Sequence, residues 1–295
     1  WLDSAAQLQP LDDVSIATLI ATLLEQHRQN DAIELAVIIA QLDPHRALAH
    51  FRLGYVLQMT NRHGEAIAPY RRALAINPTF PQLRNNLAGA LALTGGDLNE
   101  QIALLESAVL DDPNHGDAWI NLTQAQRVNL NLPRALEAGA RAVQCAPHSP
   151  LAHNNYALAL REAQRWDEAE QAAKTASVLA PNNAAMRSNL GMLQLVRGDY
   201  THGWLSHEAR WDGSLELGGL RPVMPAPTWR GESLVGKTLL VWGEQGMGDV
   251  LQFSRYIPLL AARVHREGGR LVWNSFPQMG GLLARSLGDH VDGYS

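Results

Sequence analysis

At 295 residues the chain exceeds one ordinary domain of roughly 100–200 residues and suits two. Its composition, 46% hydrophobic against 18% charged, belongs to a folded globular protein and excludes a disordered one. The net charge of −5 argues against a nucleic-acid surface, and the single cysteine, Cys145, excludes an internal disulfide. No apolar run reaches the roughly 20 residues of a membrane-spanning helix. The first thirty residues carry Asp3, Asp12, Asp13 and Glu25 and show no secretory leader, so a reducing, cytoplasmic setting is expected. A start on Trp1 rather than Met reads as a processed or excised piece. Residues 201–295 hold 15 of 24 glycines and five of eight tryptophans, a shift that predicts a domain boundary near residue 200.

The first region is organised by its prolines. Pro44, Pro78, Pro113, Pro147 and Pro181 follow one another at 34, 35, 34 and 34 residues, each closing a helix-like stretch. A period of that length with a terminal proline predicts helix-turn-helix repeats stacked into a solenoid. Aligned on the prolines, Ala32, Ala66, Ala135 and Ala169 open the second helix, and Ala73, Ala108, Ala142 and Ala176 mark a close helix approach. Leu19, Leu53, Leu87, Leu122 and Leu190 fill the apolar position of the first helix, with Tyr156 once in their place. Gly54 and Gly191 follow at a small-residue position.

These residues resemble the tetratricopeptide repeat family. The resemblance covers five repeats, 13–46, 47–80, 81–115, 116–149 and 150–183, and a degenerate sixth, 184–211, with Gly203, His207 and Arg210 at small or apolar positions. The extra residue of the third repeat is assigned to the turn at Gly95-Gly96. The expected fold is therefore mainly α, a right-handed superhelical solenoid over 1–211. The sixth repeat position reads Arg52, Asn86, Asn121, Asn155, Asn189. Asparagine is an indifferent helix former, so four in register ask for a reason. A side-chain amide both donates and accepts, which suits a peptide backbone. The column resembles the asparagine ladder of the protein O-GlcNAc transferases, which implies a groove holding a polypeptide acceptor or a partner protein. The alternative is a stripe that only fixes the superhelical pitch. A groove that clamps an acidic tail needs lysines, and this chain has two, Lys174 and Lys237, neither suitably placed.

A connector over 212–230, with Pro222, Pro225, Pro227 and Trp229, leads into the second region, 231–295. Leu239-Leu240-Val241-Trp242 predicts a buried parallel strand. The loop Gly243 to Asp249 follows, then an amphipathic helix over about 250–267 using Leu251, Tyr256, Leu259 and Leu260. Leu271–Trp273 predicts a second strand, about 277–287 a second helix, and Val291 the neighbourhood of a third strand. This βαβα order with a glycine-rich first turn is the opening of a Rossmann-like segment. Gly231 to Thr238 satisfies the Walker A letters, but it runs into a strand, where a phosphate loop must enter a helix.

The loop and helix resemble the N-terminal domain of the two-Rossmann (GT-B) glycosyltransferases, closest to bacterial repeat proteins fused to a heptosyltransferase-like domain. The block Pro227, Trp229, Gly231, Leu234, Gly236, Lys237 and the segment Gly198 to Trp211 carry the same resemblance. It implies Asp249, after Gly248, as the base that deprotonates an acceptor hydroxyl; the competing role is a helix N-cap at Val250. Gln245, Gly246 and Gly248 belong to the substrate loop in this reading. It also implies a nucleotide-sugar donor for a longer parent, with no cofactor held by this chain and the GT-B domain incomplete; the alternative is a non-catalytic protein-interaction scaffold whose α/β remnant caps the solenoid at its C-terminal end. The histidine and lysine that serve the O-GlcNAc transferases have no match here, and no metal cluster is expected.

Overall fold

A computed structural model describes residues 12–80, 82–213, 223–224, 226–243 and 246–294; Gln245 of the substrate loop lies outside them. The chain divides into two compact units, Trp1–Arg221 and Pro222–Ser295.

The first unit is helical throughout its described residues. Its paired helices are α1 (Asp13–Glu25) with α2 (Gln29–Leu42), α3 (Ala47–Met59) with α4 (His63–Ile76), and α5 (Leu83–Leu93) with α6 (Leu98–Asp111). Then come α7 (Gly116–Val128) with α8 (Leu132–Cys145), α9 (Pro150–Glu162) with α10 (Trp166–Leu179), and α11 (Ala184–Val196) with α12 (Tyr200–His207) and α13 (Arg210–Gly213). Ala32, Ala66, Ala135 and Ala169 are fully buried, and Ala73, Ala108, Ala142 and Ala176 nearly so, because a larger side chain there would drive neighbouring helices apart. The small residues act likewise. A Cβ on Gly191 would stand 2.5 Å from the backbone nitrogen of His207, so only glycine allows α11 and α12 to meet.

One backbone conformation recurs in every turn inside a repeat. His27, Asn61, Gly95, Leu130, Gln164 and Gly198 all have positive φ, at spacings of 34, 34, 35, 34 and 34. Such a residue reverses the chain and lets the next helix begin at once. In five repeats the following residue is the N-cap; after Gly95 one more residue, Gly96, intervenes before the N-cap Asp97. Gly96 is thus the insertion that makes the third repeat longer. Second helices then start in one of two ways. Asp97, Asn131 and Asp199 accept a first-turn N–H themselves. Arg28, Arg62 and Arg165 instead pair with an acid three residues on, Asp31, Glu65 and Glu168, at 2.6, 2.6 and 2.7 Å. Hydrogen bonds from these guanidinium groups hold Glu65 and Glu168 below the usual carboxylate range.

One expectation changes in this unit. Leu19 is 42% exposed, and Ile16, Ile20 and Leu23 form the buried stripe of α1 instead. The Leu19 column packs against the preceding repeat, and no repeat precedes α1 among the described residues. In the sixth repeat the second helix stops at His207, and α13 turns back along α11 with Trp211 buried and the Arg210 guanidinium 4.8 Å from its ring.

The second unit holds β1 (Thr238–Trp242), α14 (Met247–Ser254), α15 (Ile257–Arg266), β2 (Arg270–Asn274), α16 (Gly280–Leu287) and β3 (Gly293–Tyr294). The strands are parallel in the order β1-β2-β3, with Leu239 opposite Leu271 and Val241 opposite Trp273. One sheet face, carrying Leu239, Leu271 and Trp273, forms a core with Ile257, Ala261 and Val264 of α15 and Leu283 of α16. Its opposite face carries Leu240, which is 42% exposed, so β1 is buried on one side only and not on both as expected.

The predicted helix over 250–267 is two helices. Pro258 lacks the N–H that would continue the ladder from Ser254, and the chain restarts as α15 with the proline in its first turn. The restart resets the helical phase. Val250, Ile257, Ala261 and Val264 therefore face the core, while Leu251, Tyr256 and Leu259 are exposed. The Walker-like stretch is structural: Lys237 donates to the Ser233 carbonyl at 3.0 Å, Glu267 accepts from the Leu234 N–H at 2.9 Å, and Thr238 opens β1.

Candidate functional site

The asparagine column lies on the first helices and joins one repeat to the next. Asn121 donates through Nδ2 to Asn85 Oδ1 at 2.9 Å, Asn155 to the Ile120 carbonyl at 3.3 Å, and Asn189 to Asn154 Oδ1 at 3.0 Å. Arg52, at the head of the column, donates to the Asp13 side chain at 2.7 Å and to its carbonyl at 2.6 Å. Each of these five bonds reaches back to the preceding first helix. The partner column one residue earlier, Asn85 and Asn154, was not singled out from the sequence, although its 34-residue phase is readable there. Within each pair the earlier asparagine also donates sideways, Asn85 to Asn86 and Asn154 to Asn155, at 3.5 and 3.4 Å.

All four ladder asparagines are half-buried. The Oδ1 atoms of Asn121 and Asn189 accept no hydrogen bond among the described residues. Asn121, Asn155 and Asn189 thus each spend one Nδ2 hydrogen in stacking the repeats, and the Oδ1 acceptors of Asn121 and Asn189 remain. Farther along, Arg127 of α7 grips Glu162 of α9 through two bonds of 3.1 and 2.5 Å. At the N-terminal end Tyr70 is fully buried with its hydroxyl on Gln58 at 2.7 Å, and burial pushes the phenol well above its ordinary pKa. A cleft of about 660 Å³ runs between repeats 3 and 4, lined by Arg84, Asn85, Asp111, Asn114, His115 and Cys145.

In the second unit the helix N-cap is Gly246 and the helix begins at Met247. Asp249 therefore stands inside the first turn and is not the N-cap at Val250 that the sequence offered as an alternative. Its side chain is exposed and makes no hydrogen bond or ion pair among the described residues. Gly246 has φ −62°, and a Cβ on Gly248 would meet nothing within 4 Å. The fold itself does not demand glycine at either place. Gly243 differs, since its Cβ would press on Val250 at 2.9 Å.

The sequence model of the tetratricopeptide repeat family matches residues 19–81, 84–150 and 154–202, the same helix pairs that carry the column. The chain belongs to the tetratricopeptide repeat family. Its repeats make it a protein-interaction scaffold. Among curated proteins it is 30% identical over 234 residues to Protein FlbA of Caulobacter vibrioides, covering 74% of this chain and 36% of that one. It is 26% identical over 208 residues to Protein O-mannosyl-transferase TMTC1 of Homo sapiens, covering 69% and 23% respectively. The chain thus spans about a third or less of these relatives. Among solved structures, the type IV pilus biogenesis factor PilW aligns with TM-score 0.60 at 18% identity, over 70% of this chain and 96% of that one. PilF of Pseudomonas aeruginosa aligns with TM-score 0.59 at 21% identity, over 68% and 93%. These likenesses show the fold. Among the described residues no group of three or more His, Cys, Asp or Glu side chains is placed to hold a metal, and no helix is long and apolar enough to cross a membrane.

Proposed function

We propose that the chain binds an extended polypeptide along its first helices, with main-chain N–H groups of the ligand meeting the amide column Asn86, Asn121, Asn155 and Asn189. The carrying observation is that the Nδ2 groups of Asn121, Asn155 and Asn189 are engaged between repeats, which fixes how these amides present their oxygens. The acceptors of Asn121 and Asn189 are left for a ligand. Backbone recognition of this kind is indifferent to the ligand's side chains. Replacing all four asparagines by alanine is expected to weaken binding to an array of short unstructured peptides about tenfold or more, the loss of at least one hydrogen bond to a buried backbone group. The same variant loses some thermal stability but keeps its helical circular dichroism. Unchanged peptide affinity would sink the reading and leave the column a purely structural stripe.

A second reading concerns the C-terminal unit. In it, this unit opens the first Rossmann domain of a GT-B glycosyltransferase, and a longer protein transfers sugar from a nucleotide-sugar donor to the polypeptide held by the repeats. Three observations favour it. Gly246 and Gly248 are glycines the backbone does not require, as at a place where a ligand comes close. Asp249 is exposed in a first helical turn, where its carboxylate is open to an acceptor hydroxyl, as a general base must be. The name of the human relative is that of an O-mannosyl-transferase. In the longer protein Asp249→Asn should lower transfer by about 10²–10⁴-fold while peptide binding persists. Transfer at the wild-type rate would remove Asp249 from the mechanism. The 295 residues alone are expected to turn over no sugar nucleotide.

A further inference from the structure

We propose that the cavity between the second helices of repeats 3 and 4 receives a basic side chain, an arginine or a lysine, from a partner polypeptide. The inference starts from a glutamine where the repeat calls for leucine. Four residues before the left-handed turn residue, repeats 1, 2, 3 and 5 place Leu23, Leu57, Leu91 and Leu160, exposed by 8, 5, 3 and 0%. Repeat 4 places Gln126 there, only 3% exposed, with an Oε1 that accepts no hydrogen bond. A buried acceptor left unpaired opposes folding, so its presence in a core column asks for a use.

The surroundings supply one. Gln126 lines a cavity of about 360 Å³ whose apolar walls include Val109, Trp119, Leu122 and Ala138. That volume lies within the range of about 300–1,000 Å³ for small-ligand sites. Gln126 Nε2 donates to Glu106 Oε1 at 3.3 Å, so the buried amide holds the exposed Glu106 carboxylate at one end of the cavity. Among the described residues Glu106 has no cationic partner, because Arg134 at the rim is paired with Glu137 at 3.0 Å. The site therefore offers hydrocarbon walls and a carboxylate without a cationic partner. A methylene stem ending in N–H donors and a positive charge matches both, and an anion meets the carboxylate as a like charge. The cavity opens between α6 and α8, and its α7 lining, Trp119, Leu122 and Gln126, does not include Asn121 of the asparagine column. The two sites are separate, and this inference does not rest on the proposed peptide groove.

The probe is n-butylguanidinium, titrated into isotope-labelled protein while the Trp119 indole and Gln126 amide resonances are followed, with butyrate as the matched anion. Saturable shifts with butylguanidinium and none with butyrate are expected. Gln126→Leu, which frees the Glu106 carboxylate from the amide that holds it, should weaken binding about tenfold while raising the thermal midpoint. Glu106→Gln should weaken binding comparably without that gain, and it carries the test should Gln126→Leu fold poorly. No saturable shift with butylguanidinium, an equal response to butyrate, or unaltered affinity in both variants would overturn the proposal.

Discussion

The leucine column that Gln126 interrupts is interrupted once more, at Gln194 of repeat 6. Gln194 is 6% exposed and its Oε1 is likewise unpaired. Replacing it by leucine removes an unsatisfied buried acceptor, worth about 1–3 kcal/mol, and exchanges a flexible side chain for one that loses less entropy on burial. A central value of about 2 kcal/mol raises the melting temperature by about 4–8 °C in a unit of this size. Repeat arrays are stabilised repeat by repeat, so the effect should be local. Hydrogen exchange at α11 amides should slow by about thirtyfold, the same energy expressed as an equilibrium constant, while α3 and α4 change little. The control runs in reverse: Leu160→Gln, at the fully buried equivalent of repeat 5, should destabilise by about 3 kcal/mol from lost burial and an orphaned amide. A Gln194→Leu protein no more stable than the parent, alongside a strongly destabilised Leu160→Gln protein, would refute the argument that the missing partner at Oε1 carries a cost.

Two further outcomes can be measured directly. Leu130 holds φ 57° at the turn where Gly95 and Gly198 stand in other repeats, and it is 89% exposed; Leu130→Gly should stabilise by about 0.5–1 kcal/mol, the left-handed strain relieved less the entropy added to the unfolded chain, as read by urea unfolding. In the second unit, Asp292 accepts from the Leu271 N–H and from His265, and Glu267 accepts from the Leu234 N–H and from Arg263, in each case lowering the carboxyl pKa. A depressed acid stabilises the fold above its unfolded pKa, about 4, and that contribution is lost as the pH falls through the lower folded value. Acid unfolding followed by tryptophan fluorescence should therefore begin below about pH 4, and Asp292→Asn should flatten the pH dependence there.

The repeat architecture was legible because it is written in residue types that admit few substitutes. Prolines close the second helices and alanines sit where helices nearly touch. The turn between paired helices was not legible in the same way. Its positive φ falls on histidine, asparagine, leucine and glutamine as well as glycine, so a backbone constant hides behind a variable side chain. The asparagine ladder was visible as a column, but its bonds depend on the column one residue earlier, where Asn85 and Asn154 alternate with Ile120, which contributes its carbonyl. In the second unit periodicity misled. Leu251, Tyr256 and Leu259 fit one continuous helix, yet a single proline resets the phase, and Ile257, Ala261 and Val264 take the core. Asp249 was found by its place after Gly248, although the helix starts two residues before the aspartate and not one after it.

Gly96 shows what the array measures. The third repeat has one residue more than its neighbours, yet Asn121 still meets Asn85 at 2.9 Å, 36 positions away, while Asn155 and Asn189 reach back 35. The helices keep their phase because the surplus is spent in a loop before α6 begins. Residues 95–97 are therefore a natural splice point. A reporter or crosslinking handle inserted there would ride on the surface and leave the ladder and the core columns in register on either side.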